Sequence, residues 1–132
     1  MKFNARVQNS PDHLQVRLRV GEKEQTLIIP PRPSGGSSIS GGELLFLALA
    51  TCYCNDFYRE AAKRDIKVES VEVEVEGDFE AEGKPASNVV YRAKVKVNAS
   101  EDDIRELIVH TDTVTEIQNT VRASIPVRFE IQ

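Results

Sequence analysis

Apolar and polar residues alternate with period two in three stretches near the start of the chain. Phe3, Ala5 and Val7 alternate with Lys2, Asn4 and Arg6; Leu14, Val16, Leu18 and Val20 with Gln15, Arg17 and Arg19; Thr26-Leu27-Ile28-Ile29 follows a turn at Gly21-Glu22. Period two sends successive side chains to opposite faces, so each stretch predicts a strand. Pro30-Pro31-Arg32-Pro33-Ser34-Gly35-Gly36-Ser37-Ser38 predicts a loop, because its prolines lack backbone donors and its glycines favour no single conformation.

The pattern then changes to helical. Ser40-Gly41-Gly42-Glu43 has the S-x-x-E form of a capping box, and Ile39 and Leu44 stand where a hydrophobic staple would. Ser40 is the expected N-cap of a long central helix that runs to Asp65, with Lys63-Arg64 at the end where the dipole favours cations. About 25 residues at 1.5 Å rise make a rod of roughly 37 Å.

A hairpin follows. Val71, Val73 and Val75 alternate with Glu72, Glu74 and Glu76, while Tyr91, Ala93, Val95 and Val97 alternate with Arg92, Lys94 and Lys96. Pairing Glu72 with Lys96, Glu74 with Lys94 and Glu76 with Arg92 would place opposite charges across one solvent face, each pair contributing from a few tenths up to about 1 kcal/mol. Ser100-Glu101-Asp102-Asp103 starts a further helix carrying Ile104, Leu107 and Ile108 on one side. Thr113-Val114-Thr115-Glu116 repeats the start signal, which predicts a break near Thr111-Asp112 and a short helix to about Arg122. Ile125, Val127, Phe129 and Ile131 close the chain with an alternating strand. The order of three strands, long helix, hairpin, helix pair and strand is α+β with an antiparallel sheet, expected as a single domain over residues 1–132.

Composition narrows the partners. The net charge is −4 and basic residues are interleaved with acidic ones, which gives no electrostatic footprint for nucleic acid. The longest apolar run, Leu44 to Cys54, is about half of a bilayer span, and Met1-Lys2-Phe3-Asn4 is no signal-peptide start, so no membrane partner and a cytoplasmic location are expected.

That run also carries the chain's only cysteines, Cys52 and Cys54. On a helix, residues two apart point about 200° away from each other, which opposes both a mutual disulfide and joint chelation of a metal ion. Cys52 shares its side with Leu45, Ala48, Leu49, Asn55, Asp56 and Arg59, at an apolar-to-polar border. Cys54 shares its side with Leu47, Ala50, Phe57, Tyr58 and Ala61, mostly core, so Cys52 is the nucleophile candidate. Three turns from the helix start, it needs a cation other than the dipole to stabilise a thiolate. Arg59 lies one turn from Asp56 and reads first as its ion-pair partner, with Arg6, Arg17 and Arg19 as alternatives. Glu43 reads as a cap, and His13 and His110 as surface histidines without metal-ligand spacing. No cofactor or metal site is expected.

The segment Gly42-Glu43-Leu44-Leu45-Phe46-Leu47-Ala48-Leu49-Ala50-Thr51-Cys52, with Asp56 four residues on and Val71-Glu72-Val73-Glu74-Val75-Glu76-Gly77 beyond, resembles the OsmC/Ohr family. These are osmotically inducible and organic hydroperoxide resistance proteins. Asn119-Thr120-Val121 and Ile125-Pro126-Val127 are similar to the family's second helix and final strand. The resemblance implies an OsmC-like fold, an intertwined homodimer with two symmetric interface sites, and a central-helix cysteine that attacks a small hydroperoxide and becomes a sulfenic acid. Cys52 matches that position.

Two departures carry consequences. The family's resolving cysteine stands four residues before the Asn-Thr pair, where this chain has Thr115, so an oxidised Cys52 would need an external thiol reductant. The glutamate that holds the catalytic arginine in the hydroperoxide-reducing branch corresponds to Gly42, and Glu43 is rotated about 100° from it. Two readings follow: a stress-response thiol peroxidase using Cys52 alone, with Glu43, Asp56, Arg59 and Thr115 as accessory candidates, or a non-catalytic dimer that binds a small hydrophobic ligand in its interface pocket.

Overall fold

The computed structural model describes all residues from Met1 to Gln132. The order is β1 (Phe3–Ser10), β2 (His13–Val20), β3 (Lys23–Leu27), α1 (Gly41–Lys63), β4 (Val68–Asp78), β5 (Ser87–Val97), α2 (Glu101–Val114) and α3 (Glu116–Arg122). The chain is α+β with antiparallel sheets, and it divides into two compact units, Met1–Leu44 and Leu45–Gln132.

The first unit is a three-stranded sheet in the order β1-β2-β3. Val16 lies opposite Val7 on one side and Leu27 on the other, so the alternation seen in sequence becomes one apolar row across the sheet. β3 begins earlier than its apolar residues suggest. Gly21 adopts φ +57°, open to glycine at no steric cost, so the chain reverses within Gly21-Glu22 and pairing resumes at once between Val20 and Lys23. Pairing ends at Leu27, short of the predicted Ile29, where the prolines begin. The loop closes on itself: Ser38 donates its N–H to the Pro30 carbonyl at 2.9 Å, and Gly36 donates to Asn9 Oδ1 at 2.7 Å.

The capping box forms as the sequence predicts. Glu43 N–H donates to Ser40 Oγ at 3.1 Å, and Ser40 N–H donates to the Glu43 carboxylate at 2.7 Å. α1 ends at Lys63, and Asp65 turns the chain at φ 54°.

In the second unit the core is Tyr53, Phe57 and Ala61 of α1 with Leu107 of α2, packed against Val71, Val73, Tyr91, Ala93, Val95 and Val97 of the hairpin. The hairpin faces are as predicted but its register is not. Glu72 pairs with Lys94, Glu74 with Arg92, and Glu76 with Val90, two residues from the expected alignment. Register irregularities between Val68 and Ser70 and between Glu76 and Asp78 bound this regular run at its two ends. Shifting by two keeps every side chain on its face, which is why alternation alone did not distinguish the registers. Arg92 still reaches Glu76, diagonally, at 3.1 Å.

α2 starts on Ser100, whose Oγ accepts from Asp103 N–H at 3.2 Å. The break after it falls at Thr115 rather than Thr111-Asp112, and Thr115 rather than Thr113 is the N-cap of α3. Thr111 and Thr113 bond back to the carbonyls of Leu107 and His110, which keeps both inside α2. His110 is therefore not at the helix end, and its Nε2 lies 3.0 Å from Glu60 Oε1. Residues 125–131 form no strand within the chain; Val127, Phe129 and Ile131 are 93%, 87% and 89% exposed.

Candidate functional site

The buried stripe of α1 runs Leu49, Tyr53, Asp56, Phe57, Glu60 and Ala61, and the two cysteines flank it on opposite sides. Neither is in the core. Cys54, expected to be core, is half-buried and borders a shallow groove lined by Ala50, Thr51, Asn55 and Val73. Leu47 and Tyr58 on its side are exposed, because the hairpin packs against the stripe and leaves that flank open. Cys52 is half-buried on the other flank, facing the start of α3.

Asp56 stands one helical turn after Cys52, on the same side of α1, and Cys52 Sγ donates to its Oδ2 at 3.4 Å. Glu116, the first residue of α3, brings Oε2 to 3.9 Å from the same sulfur. Arg59 ties the two carboxylates together from outside: its Nη1 lies 2.8 Å from Asp56 Oδ1 and 3.2 Å from Glu116 Oε1. Its Nε donates to Glu60 at 3.0 Å, and Nη2 donates to the Val114 carbonyl at 3.5 Å. Each carboxylate thus has one oxygen on the guanidinium and one turned towards sulfur. Facing atoms of Cys52, Asp56 and Glu116 lie within 4.8 Å of one another, and the cation already held by the cluster is Arg59.

The electrostatics follow from that arrangement. Burial pushes the Cys52 thiol up, the charges of Asp56 and Glu116 push it further, and the Ile117 backbone N–H opposes them. Burial also raises Asp56, assisted by its contact with Glu116 and opposed by the Cys52 hydrogen bond and then by Arg59, while Glu116 is lowered by its own backbone N–H and by Asp56. These influences favour the protonated thiol, which has a buried carboxylate as its hydrogen-bond acceptor.

The structure brings Cys52, Asp56 and Arg59 together as their helical phase implies, with Arg59 serving as the ion-pair partner of Asp56. Glu43 is occupied in the cap of α1. Thr115 is 0% exposed and donates its hydroxyl to the Asp112 carbonyl at 3.0 Å. Sequence reading missed Glu116 and Gln118. Gln118, buried, donates Nε2 to the Leu49 carbonyl at 2.9 Å and so fixes α3 against α1 with Glu116 over the thiol. The available signal was the position of Thr115: a residue expected near Cys52 implied that its neighbour Glu116 would be near it too.

Below Glu116 and Arg59 the network continues through Glu60, a buried carboxylate that also receives Lys63 at 2.8 Å. These cations, Lys63 first and then Arg59, hold its pKa down to about 2. Glu60 thereby anchors the back of Arg59 and limits where the guanidinium can point.

No curated protein matches the chain. Solved structures do. An OsmC-like protein from Mycoplasma pneumoniae is 16% identical, with 92% of this chain and 89% of that one covered and a TM-score of 0.62. An organic hydroperoxide resistance protein from Elizabethkingia anophelis is 16% identical over 95% of this chain and 91% of its own, with a TM-score of 0.62. An organic hydroperoxide resistance protein OsmC from Legionella pneumophila is also 16% identical, covering 92% and 90%, with a TM-score of 0.57. Identity this low establishes likeness of fold. The family described as OsmC-like protein matches residues 34–130, a span that holds α1, the hairpin, both later helices and every residue of the Cys52 cluster. On that match the chain belongs to the OsmC-like protein family.

Proposed function

We propose that this chain reduces organic hydroperoxides through Cys52 alone. The observation that carries the reading is the half-buried Cys52 thiol of the central helix, bonded to a carboxylate that is itself held by an arginine. Two fold neighbours described as organic hydroperoxide resistance proteins support it. In the first step Cys52–SH and ROOH give Cys52–SOH and ROH. An external thiol then condenses with the sulfenic acid to a mixed disulfide and water, and a second thiol releases Cys52–SH and the external disulfide.

The test is intact mass and thiol loss after one equivalent of an organic hydroperoxide, on wild type, Cys52→Ser and Cys54→Ser. Gain of one oxygen faster than free cysteine, lost in Cys52→Ser and kept in Cys54→Ser, is the expected result. Oxidation no faster than free cysteine, or undiminished in Cys52→Ser, refutes the reading. The upward push on the Cys52 thiol favours a second one, in which the family's fold serves to bind a small hydrophobic ligand. That reading predicts an unreactive thiol together with saturable binding of an apolar fluorophore.

The working unit in this reading is a homodimer in the cytoplasm. Its support is the C-terminal stretch Ile125–Ile131, which alternates like a strand, exposes Val127, Phe129 and Ile131, and has no strand partner in its own chain. Sedimentation analysis is expected to give twice the mass of one chain, and a monomer at micromolar concentration overturns the assembly.

A further inference from the structure

We infer that Asp56 is a catalytic residue of the Cys52 reaction: its Oδ2 accepts the thiol proton as sulfur attacks and returns it to the departing oxygen. This rests on the hydroperoxide reading and adds a base to it. In the balanced step, sulfur bonds the terminal peroxide oxygen, the O–O bond breaks, and the S–H proton passes through Asp56 to the alkoxide. Cys52–SH and ROOH thus become Cys52–SOH and ROH with no charge left over.

Three observations select this route. Arg59, the cation of the cluster, turns its donors away from the thiol. The donors of Arg59 are directed at Asp56, Glu116, Glu60 and the Val114 carbonyl, and the acidic groups facing sulfur are both carboxylates. A thiolate formed in advance would stand beside two like charges, whereas one formed as the S–O bond develops never carries full charge.

Asp56 is also the better placed of the two carboxylates. It is 3.4 Å from sulfur, 8% exposed at its side chain, and fixed one turn along the same rigid helix. Glu116 is 3.9 Å away, 65% exposed, and on a separate helix. Finally, Arg59 bonds the oxygen of Asp56 that does not face sulfur, which orients the carboxylate with Oδ2 towards the thiol.

The experiment compares two reactions of the same sulfur in wild type, Asp56→Asn and Asp56→Glu: alkylation by iodoacetamide at neutral pH, and single-turnover oxidation by cumene hydroperoxide. Removing the charge of Asp56 makes the thiol easier to ionise, so Asp56→Asn should alkylate as fast as wild type or faster. Its oxidation should slow by at least about tenfold, since a positioned acid or base contributes about 10²–10⁴. Asp56→Glu should recover part of the loss.

Oxidation of Asp56→Asn at the wild-type rate overturns the inference, as does a parallel fall of both rates, which marks a structural role. Wild-type oxidation should also be slower in D₂O and should not climb with pH in step with thiol ionisation; the opposite results overturn the inference even where the variant fails to fold. Wild type that oxidises no faster than free cysteine overturns the hydroperoxide reading itself, a failure distinct from the others.

Discussion

Gly77 sits in β4 where the strand passes under Phe46 of α1, and replacing it by alanine tests the packing of the second unit. A Cβ there would meet Phe46 Cζ at 2.9 Å, Val89 Cγ2 at 3.0 Å and the Ser87 carbonyl oxygen at 3.3 Å. Two effects of opposite sign compete. Where the native backbone accepts alanine, the substitution removes unfolded-state freedom and stabilises by about 0.4–1 kcal/mol. Overpacking a filled site costs about 1–3 kcal/mol. The ring can tilt away, but Phe46 already packs on Phe79 at 5.8 Å between centroids, and the Ser87 carbonyl belongs to the paired strand.

Overpacking should therefore win, with a net loss of roughly 1–2 kcal/mol. At about 2–8 °C per kcal/mol for domains near this size, Tm should fall by about 2–16 °C. Urea denaturation of wild type, Gly77→Ala, Phe46→Leu and the double variant reads the coupling directly. Because leucine withdraws the far end of the ring, the double variant should be more stable than the two single losses add up to. Gly77→Ala at or above wild-type stability, or strict additivity, would refute the close approach.

Ser40→Ala removes the side-chain acceptor of the α1 cap and should cost about 1 kcal/mol in chemical denaturation; no change would mean the box is ornamental. Glu60 has its folded pKa lowered to about 2 by Lys63 and Arg59. Its stabilisation is complete above the unfolded carboxylate value of about 4.3 and is lost as pH falls towards about 2. Glu60→Gln should therefore be less stable than wild type at neutral pH and should show a shallower loss in acid; parallel pH profiles would contradict this. Glu116→Gln removes one of the charges that oppose Cys52 ionisation, so iodoacetamide should react faster at neutral pH. Because Glu116 is largely exposed, the gain should stay below about tenfold, as expected for a screened charge contributing about 1 kcal/mol or less.

What the sequence disclosed was local. Alternation identified the strands and their faces, and S-x-x-E and S-x-x-D located two helix starts, because those signals act within a few residues. The hairpin register escaped because a shift of two preserves every face and still sets Glu72 and Glu74 opposite basic residues. A break was read near Thr111 and a helix start at Thr113, whereas both threonines bond backwards into α2. The candidate site was half legible: one helical turn joins Cys52, Asp56 and Arg59, whereas Glu116 and Gln118 arrive from a separate helix, through tertiary packing that no spacing encodes. Cys54 was taken for core because a helical wheel supplies phase without saying which arc the sheet covers.

The burial of Thr115 sets a boundary on how this chain can change. A cysteine there would replace a hydroxyl that closes the α2–α3 junction, in a position with no exposed surface, while the carboxylate of the next residue already stands at the sulfur. A sulfur in that place would also lose the hydrogen bond to the Asp112 carbonyl, so any chemistry gained there is set against the cohesion of the junction. Under the proposed hydroperoxide chemistry the second sulfur comes from another molecule, and the supply of that molecule would set the pace of repeated turnover.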